Sequence, residues 1–188
     1  MPHEARDPIV AAANAIVALQ SVVARSIDPM QPAVVTVGSL QAGSAPNVIP
    51  EVATMRGTLR SFDDDVRQLL RRRVREVLEG TSAAAGCRLD YALHPGYPTV
   101  VNDAAAVERV RRHAALVVGG TNVVDPAPMA AAEDFAYFLR EAPGAFVFIG
   151  AGNAARGITA PHHAPHFDID ESALPIGTEL LVRIALGT

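Results

Sequence analysis

The chain has 188 residues, a formal net charge of −4, 49% hydrophobic residues and one cysteine, Cys87. That is enough apolar chain for one ordinary domain or two small ones with a core that needs no staples. The lone cysteine excludes an internal disulfide and makes the cytoplasm the simplest compartment, and the charge leaves a single basic block, 67–76, as a place for polyanions.

Residues 7–25, "DPIVAAANAIVALQSVVAR", are apolar enough to be mistaken for a signal sequence. The preceding "MPHEARD" is no basic n-region, however, and Asn14, Gln20 and Ser21 interrupt the run at helical intervals. The reading is a buried amphipathic helix with Asp7 as N-cap and Pro8 at the first helical position. No segment is expected to span a membrane.

"AVVTVGSLQAG" at 33–43 reads as a strand. At 51–62, Val52, Thr54, Arg56, Thr58 and Arg60 alternate with Ala53, Met55, Gly57 and Leu59, the pattern of a strand with one buried face. "SFDDDVRQLLRRRVREVLEG" at 61–80 begins with acidic residues suited to a helix N-terminus and ends in Gly80 as C-cap. Its arginines are spaced helically among Leu69, Leu70, Val74 and Val77 with no aromatic stacking residues, so it reads as a solvated helix face and no nucleic-acid partner is expected. "CRLDYALH" at 87–94 alternates as a further strand. The order α-β-β-α-β is that of a ferredoxin-like plait whose opening strand is missing.

"PGYPTVVND" at 95–103 is a Pro/Gly-rich boundary. Beyond it, 103–120 and 130–144 read as helices, the second closed by Pro143 and Gly144. "AFVFIG" at 145–150 reads as a strand buried in a parallel sheet, and 170–187 as a last helix. One strand with three helices is too little for an independent α/β domain.

Before that last helix, "PHHAPHFDIDE" at 161–171 concentrates three of the six histidines with three carboxylates. Such a composition suits a zinc-like ion, acid/base chemistry or a polar loop, and composition alone leaves all three open.

Three stretches carry a family resemblance: "PHEARDPIVAAANAIVALQ" at 2–20, "AGSAPNVIPEVATMRGTLRSF" at 42–62, and "AEDFAYFL" with "HHAPHFDIDE" at 132–139 and 162–171. In this order they resemble the C-terminal half of the metal-dependent amidohydrolases that include hippurate hydrolases, N-acyl amino acid amidohydrolases, auxin-conjugate hydrolases and related aminoacylases and carboxypeptidases. The resemblance implies a ferredoxin-like α+β lid or dimerisation domain at 1–95, its opening strand missing. The C-terminal part of an α/β zinc-hydrolase catalytic domain then follows at 96–188. In the family, two metal ions activate a water and polarise the amide carbonyl while a carboxylate shuttles the proton.

Residue by residue, the family pattern His-x-Pro-x-Phe-Asp falls on "HAPHFD", which makes His163 the metal ligand and leaves His162 and His166 as loop residues. Asp168 takes a role fixing that loop, while Asp170 and Glu171 serve the following helix N-terminus. Asn47 in "NVIP" matches a lid residue near the substrate. Arg60 in "GTLR" matches an arginine that meets the substrate carboxylate, a task suited to a planar guanidinium fork. Glu133 and Asp134 receive no chemistry.

The family's N-terminal segment, with a Cys, further His and a Glu pair whose first member is the general base, has no counterpart in these residues, and Cys87 does not replace it. No catalytic residue is therefore assigned. The expectation is the C-terminal half of an enzyme hydrolysing N-acyl amino acids or related small amides, dimeric through its lid. The intact enzyme would use zinc, manganese or cobalt, held only weakly by this chain. The alternative is a catalytically silent dimerisation or regulatory fragment pairing with full-length relatives.

Overall fold

The computed structural model describes residues 1–187 and has an α/β architecture divided into two compact units. The first comprises Met1–Thr99 with Ala130–Ala132; the second comprises Val100–Met129 and the chain from Glu133 onward.

In the first unit, α1 (Pro8–Ser26) begins where Asp7 accepts from the backbone N–H groups of Ile9 (2.9 Å) and Val10 (3.3 Å). Pro8 costs nothing there, because an N–H at the first position has no intrahelical acceptor. Ala11, Ala15, Leu19 and Val22 form a buried stripe at helical spacing. Contrary to the sequence expectation, this 19-residue helix, with mean hydropathy 1.5, is long and apolar enough to cross a membrane. In the structure its stripe packs into a protein core.

The strands β1 (Ala33–Ala42) and β2 (Ala53–Ser61) form an antiparallel ribbon. Val37 faces Gly57 and Ser39 faces Arg56, so Gly38 is an extra residue in a β-bulge. Ahead of the bulge, Ala33, Val35 and Val37 turn inward; on β2, Leu59 opposite Val35 and Met55 opposite Leu40 do the same. The helix α2 (Asp64–Ala84) starts with Asp63 accepting from Asp65 N and Val66 N, both at 2.9 Å. Leu70, Val74 and Leu78 meet the α1 stripe to complete the core, and full burial of Leu70 contributes about 1.5–3 kcal/mol relative to exposure. On the outer face Arg72 and Arg73 pair with Glu76, and Arg75 pairs with Glu79. Each such surface pair adds little stability.

Two boundaries differ from the sequence reading. Gly80 does not cap α2, which runs on to Ala84, with Gly86 adopting φ +67° two residues later. Gly80 is exposed, so the helix bears only glycine's intrinsic cost of about 1 kcal/mol and the remaining turn continues. The expected strand at 87–94 is absent too. Its alternation is real, since Leu89 and Tyr91 pack against the core while Arg88 and Asp90 are exposed, but it pairs with no strand among the described residues. An extended segment lying on a core alternates in burial whether or not its edges are hydrogen-bonded. The observed order is thus α-β-β-α.

In the second unit, α3 (Ala104–Val118) is capped by Asp103, which accepts from Ala106 N at 2.8 Å, and ends at Gly119 with φ +82°. It packs against α5 (Ala173–Leu186), which ends at Gly187 in the left-handed region. Between them in sequence, α4 (Phe135–Glu141) is much shorter than the expected 130–144. Ala142 is extended because Pro143 disfavours helical backbone in the residue before it. At the other end, Ala130–Ala132 belong to the first unit, where Ala130 O accepts from Arg60 Nη1 at 3.0 Å.

The expected buried strand at 145–150 is also not formed. Val147, Phe148 and Ile149 are 40%, 60% and 38% exposed, and no strand pairs with them among the described residues. The segment is held instead by Asn102, whose Oδ1 accepts from Phe146 N (2.8 Å) and whose Nδ2 donates to Phe146 O (2.9 Å). The amide side chain occupies the place of a neighbouring strand's peptide group.

Candidate functional site

Asn47 and Arg60 both lie in the first unit. Asn47 sits exposed in the turn at 46–47 of the β1–β2 connection. Arg60 lies near the end of β2 opposite Val34, half-buried, on the face turned away from Met55 and Leu59. A guanidinium carries five N–H donors. One goes to Ala130 O, and no other partner is found for Arg60 among the described residues.

His163 lies in the second unit on the loop 159–169. Ala164 N donates to Pro161 O at 3.0 Å, closing a tight turn over His162 and His163. His163 is the third residue of that turn and has φ +72°, a position where a type II turn needs positive φ and normally carries Gly or Asn. Among the described residues it is the one non-glycine with positive φ. Such backbone costs an ordinary residue on the order of 1–3 kcal/mol and clusters at functional sites. A second turn follows, with Phe167 N donating to Ala164 O at 3.0 Å. The result leaves His163 exposed, its ring 4.2 Å from that of His162, which meets Phe167 edge-on at 5.3 Å. His162, Phe167 and Asp168 line a shallow cavity of about 240 Å³ together with Ile149, Gly152 and Ile158.

The loop's anchor is Asp170, not Asp168. Among the described residues Asp168 accepts only from the adjacent Ile169 N, at 2.8 Å. Asp170 is buried, and its carboxylate accepts from Asn153 Nδ2 (2.5 Å), Arg156 Nη1 (2.9 Å) and Ser172 N (3.1 Å). These bonds, led by Asn153 and followed by Ser172, lower its pKa from 3.8 to about 2, with the Arg156 charge adding to them. Asp170 also serves the start of α5 as expected, since Ser172 N and Ala173 N both point at it. Asn153 carries little signal in the sequence. Its only signal there is an amide side chain placed to cap the short 3-10 turn Ala154–Arg156. Glu133 accepts from Phe135 N at 3.1 Å, in keeping with a local role at the start of α4.

Zinc sites need three or four protein ligands. Among the described residues no three His, Cys, Asp or Glu side chains come together in this way. His163, exposed in its strained turn, is a single imidazole, and one imidazole does not make a metal centre.

The sequence matches Peptidase family M20/M25/M40 over residues 7–187. It is 42% identical over 176 residues to the N-acetyl-L-cysteine deacetylase of Bacillus subtilis, covering 93% of this chain and 40% of that protein. To the IAA-amino acid hydrolase ILR1-like 4 of Arabidopsis thaliana it is 35% identical over 189 residues, covering 98% of this chain and 43% of the relative. Among solved structures, the YXEP protein of Bacillus subtilis, described as a dinuclear metal binding peptidase from the M20 family, superposes with a TM-score of 0.75 at 33% identity. The match covers 96% of this chain and 45% of that one. The chain thus spans less than half the length of each of these relatives.

Proposed function

We propose, for a chain that belongs to Peptidase family M20/M25/M40, that it is the C-terminal half of a metal-dependent amidohydrolase cleaving the amide bond of N-acyl amino acids or related small amides. The observation that carries this reading is the family match along nearly the whole chain, with His163 of the family motif held at positive φ on an exposed loop. His163 contributes one ligand to a zinc, manganese or cobalt centre whose other ligands and general base come from residues outside this chain. Residues 1–95 act as a lid and dimerisation domain in which Asn47 lies near the substrate and Arg60 receives its carboxylate; 96–188 complete the catalytic domain. The assembled enzyme is a cytoplasmic homodimer with small-molecule substrates.

A second reading is a catalytically silent dimerisation or regulatory fragment that pairs with full-length relatives. It is favoured by the lack of any three-ligand cluster among the described residues.

The test joins residues 1–188 to the N-terminal half of the Bacillus subtilis deacetylase and follows release of free amino acid from a hippurate-like substrate. The chain alone should give no turnover with zinc, manganese or cobalt, and the joined protein should turn over in a His163-dependent way. A folded but inactive chimera favours the silent fragment, and metal-dependent turnover by the chain alone contradicts both readings. In the active chimera, Arg60→Ala should raise KM for the free acid by an amount equivalent to about 2–4 kcal/mol and affect the substrate's amide or ester much less.

A further inference from the structure

The loop 159–169 stands with both feet on one residue. At its start, Asn153 and Ile158 exchange two backbone hydrogen bonds, each 2.9 Å, so Asn153 fixes where the loop leaves. At its end, the side chain of the same Asn153 donates to Asp170 at 2.5 Å, while Asp170 N donates to Ala151 O at 2.8 Å. Arg156 adds a charged bond to Asp170 from the same turn. Between the feet, the loop's internal backbone bonds include those from Ala164 to Pro161 and from Phe167 to Ala164. A compact loop of this length with adjoining ends is an Ω-loop, and its conformation depends on keeping those ends together.

From this arrangement we infer that the Asn153–Asp170 pair is a latch, and that these two are positioning residues for His163. The latch acts through geometry. Positive φ at a histidine persists only where its surroundings over-determine it, and the two pinned ends supply that constraint. Releasing one foot lets the turn at 161–164 relax to ordinary backbone and swings the imidazole away from where the loop now presents it. The role in metal binding rests on the functional reading above, whereas the latch itself does not.

The test is native-state hydrogen exchange on residues 1–188 comparing wild type with Asp170→Asn and Asn153→Ser. The serine variant keeps the backbone pairing with Ile158 and a side-chain oxygen suited to the cap on Arg156 N, and loses the reach to Asp170. Loss of a charge-assisted bond should speed exchange at Ala164 N and Phe167 N about tenfold in both variants. The α3 amides should be unchanged, and Asp170→Glu should restore part of the protection. Unchanged exchange at Ala164 and Phe167 overturns the proposal. So does equal loss across the loop and α3, which would make Asp170 a support of the whole unit. In the chimera, metal content measured for the same variants and for His163→Ala separates the two claims. A working latch with metal content indifferent to His163 means that the metal reading is wrong and the latch right.

Discussion

Gly57 lies so close to Thr36 on the neighbouring strand that a Cβ built on it would sit 2.3 Å from the Thr36 carbonyl oxygen. The contact is backbone, so no side chain can swing aside. It lies one step from the Gly38 bulge, where β1 bends and the two strands are drawn together. Gly57→Ala is therefore expected to lower stability by about 1–3 kcal/mol, the usual cost of forced overpacking. Gly38→Ala, which meets nothing within 4 Å, should cost much less. Urea denaturation of both variants decides this, and equal losses would mean that the close approach is not the reason.

The Tyr91 hydroxyl is buried with no hydrogen-bond partner among the described residues, while its ring packs against the core of the first unit and carries the Arg75 guanidinium 5.7 Å from its centroid. Removing the oxygen keeps the ring, the packing and the cation–π contact. Tyr91→Phe should raise stability by about 1 kcal/mol, since a buried donor without a partner carries an uncompensated desolvation cost. A lower urea midpoint would show that the hydroxyl is satisfied.

At His163 the backbone and the side chain are in conflict. Relieving positive φ returns about 1–2 kcal/mol, while glycine's greater freedom in the unfolded chain costs about 0.5–1 kcal/mol. His163→Gly should then be between neutral and about 1.5 kcal/mol more stable than wild type, and His163→Val, β-branched at the same φ, less stable by about 1–3 kcal/mol. Thermal or urea unfolding of the pair tests it. A destabilised glycine variant would show that the imidazole is held for the fold.

Asp170 makes stability depend on pH in a known direction. Its pKa is lowered in the folded chain from 3.8 to about 2, so the folded state binds fewer protons than the unfolded one in between. The contribution is complete above about pH 4 and fades as pH falls through about 2. The stability difference between wild type and Asp170→Asn should accordingly be flat from neutral pH down to about pH 4 and shrink below it. Chemical denaturation across that range measures it, and a difference that grows on acidification would refute the assignment.

What the sequence determined by itself was local. Asp7 ahead of Pro8, the acidic start of α2 and the amphipathic character of α1 each depend on residues within a few turns of one another, and each forms as read. Asn47, Arg60 and His163 could be proposed from the sequence for a similar reason, because the family pattern is written in contiguous stretches. Tertiary structure decided whatever needs a partner distant in the chain. The alternation of 87–94 and the apolar run of 145–150 mark extended backbone, but a strand exists only where another supplies its hydrogen bonds, and among the described residues none does. Which carboxylate anchors the loop was likewise invisible: Asp168 and Asp170 are two residues apart in the same motif. Only the fold brings Asn153 and Arg156 against one of them, and a carboxylate anchors whatever donors reach it.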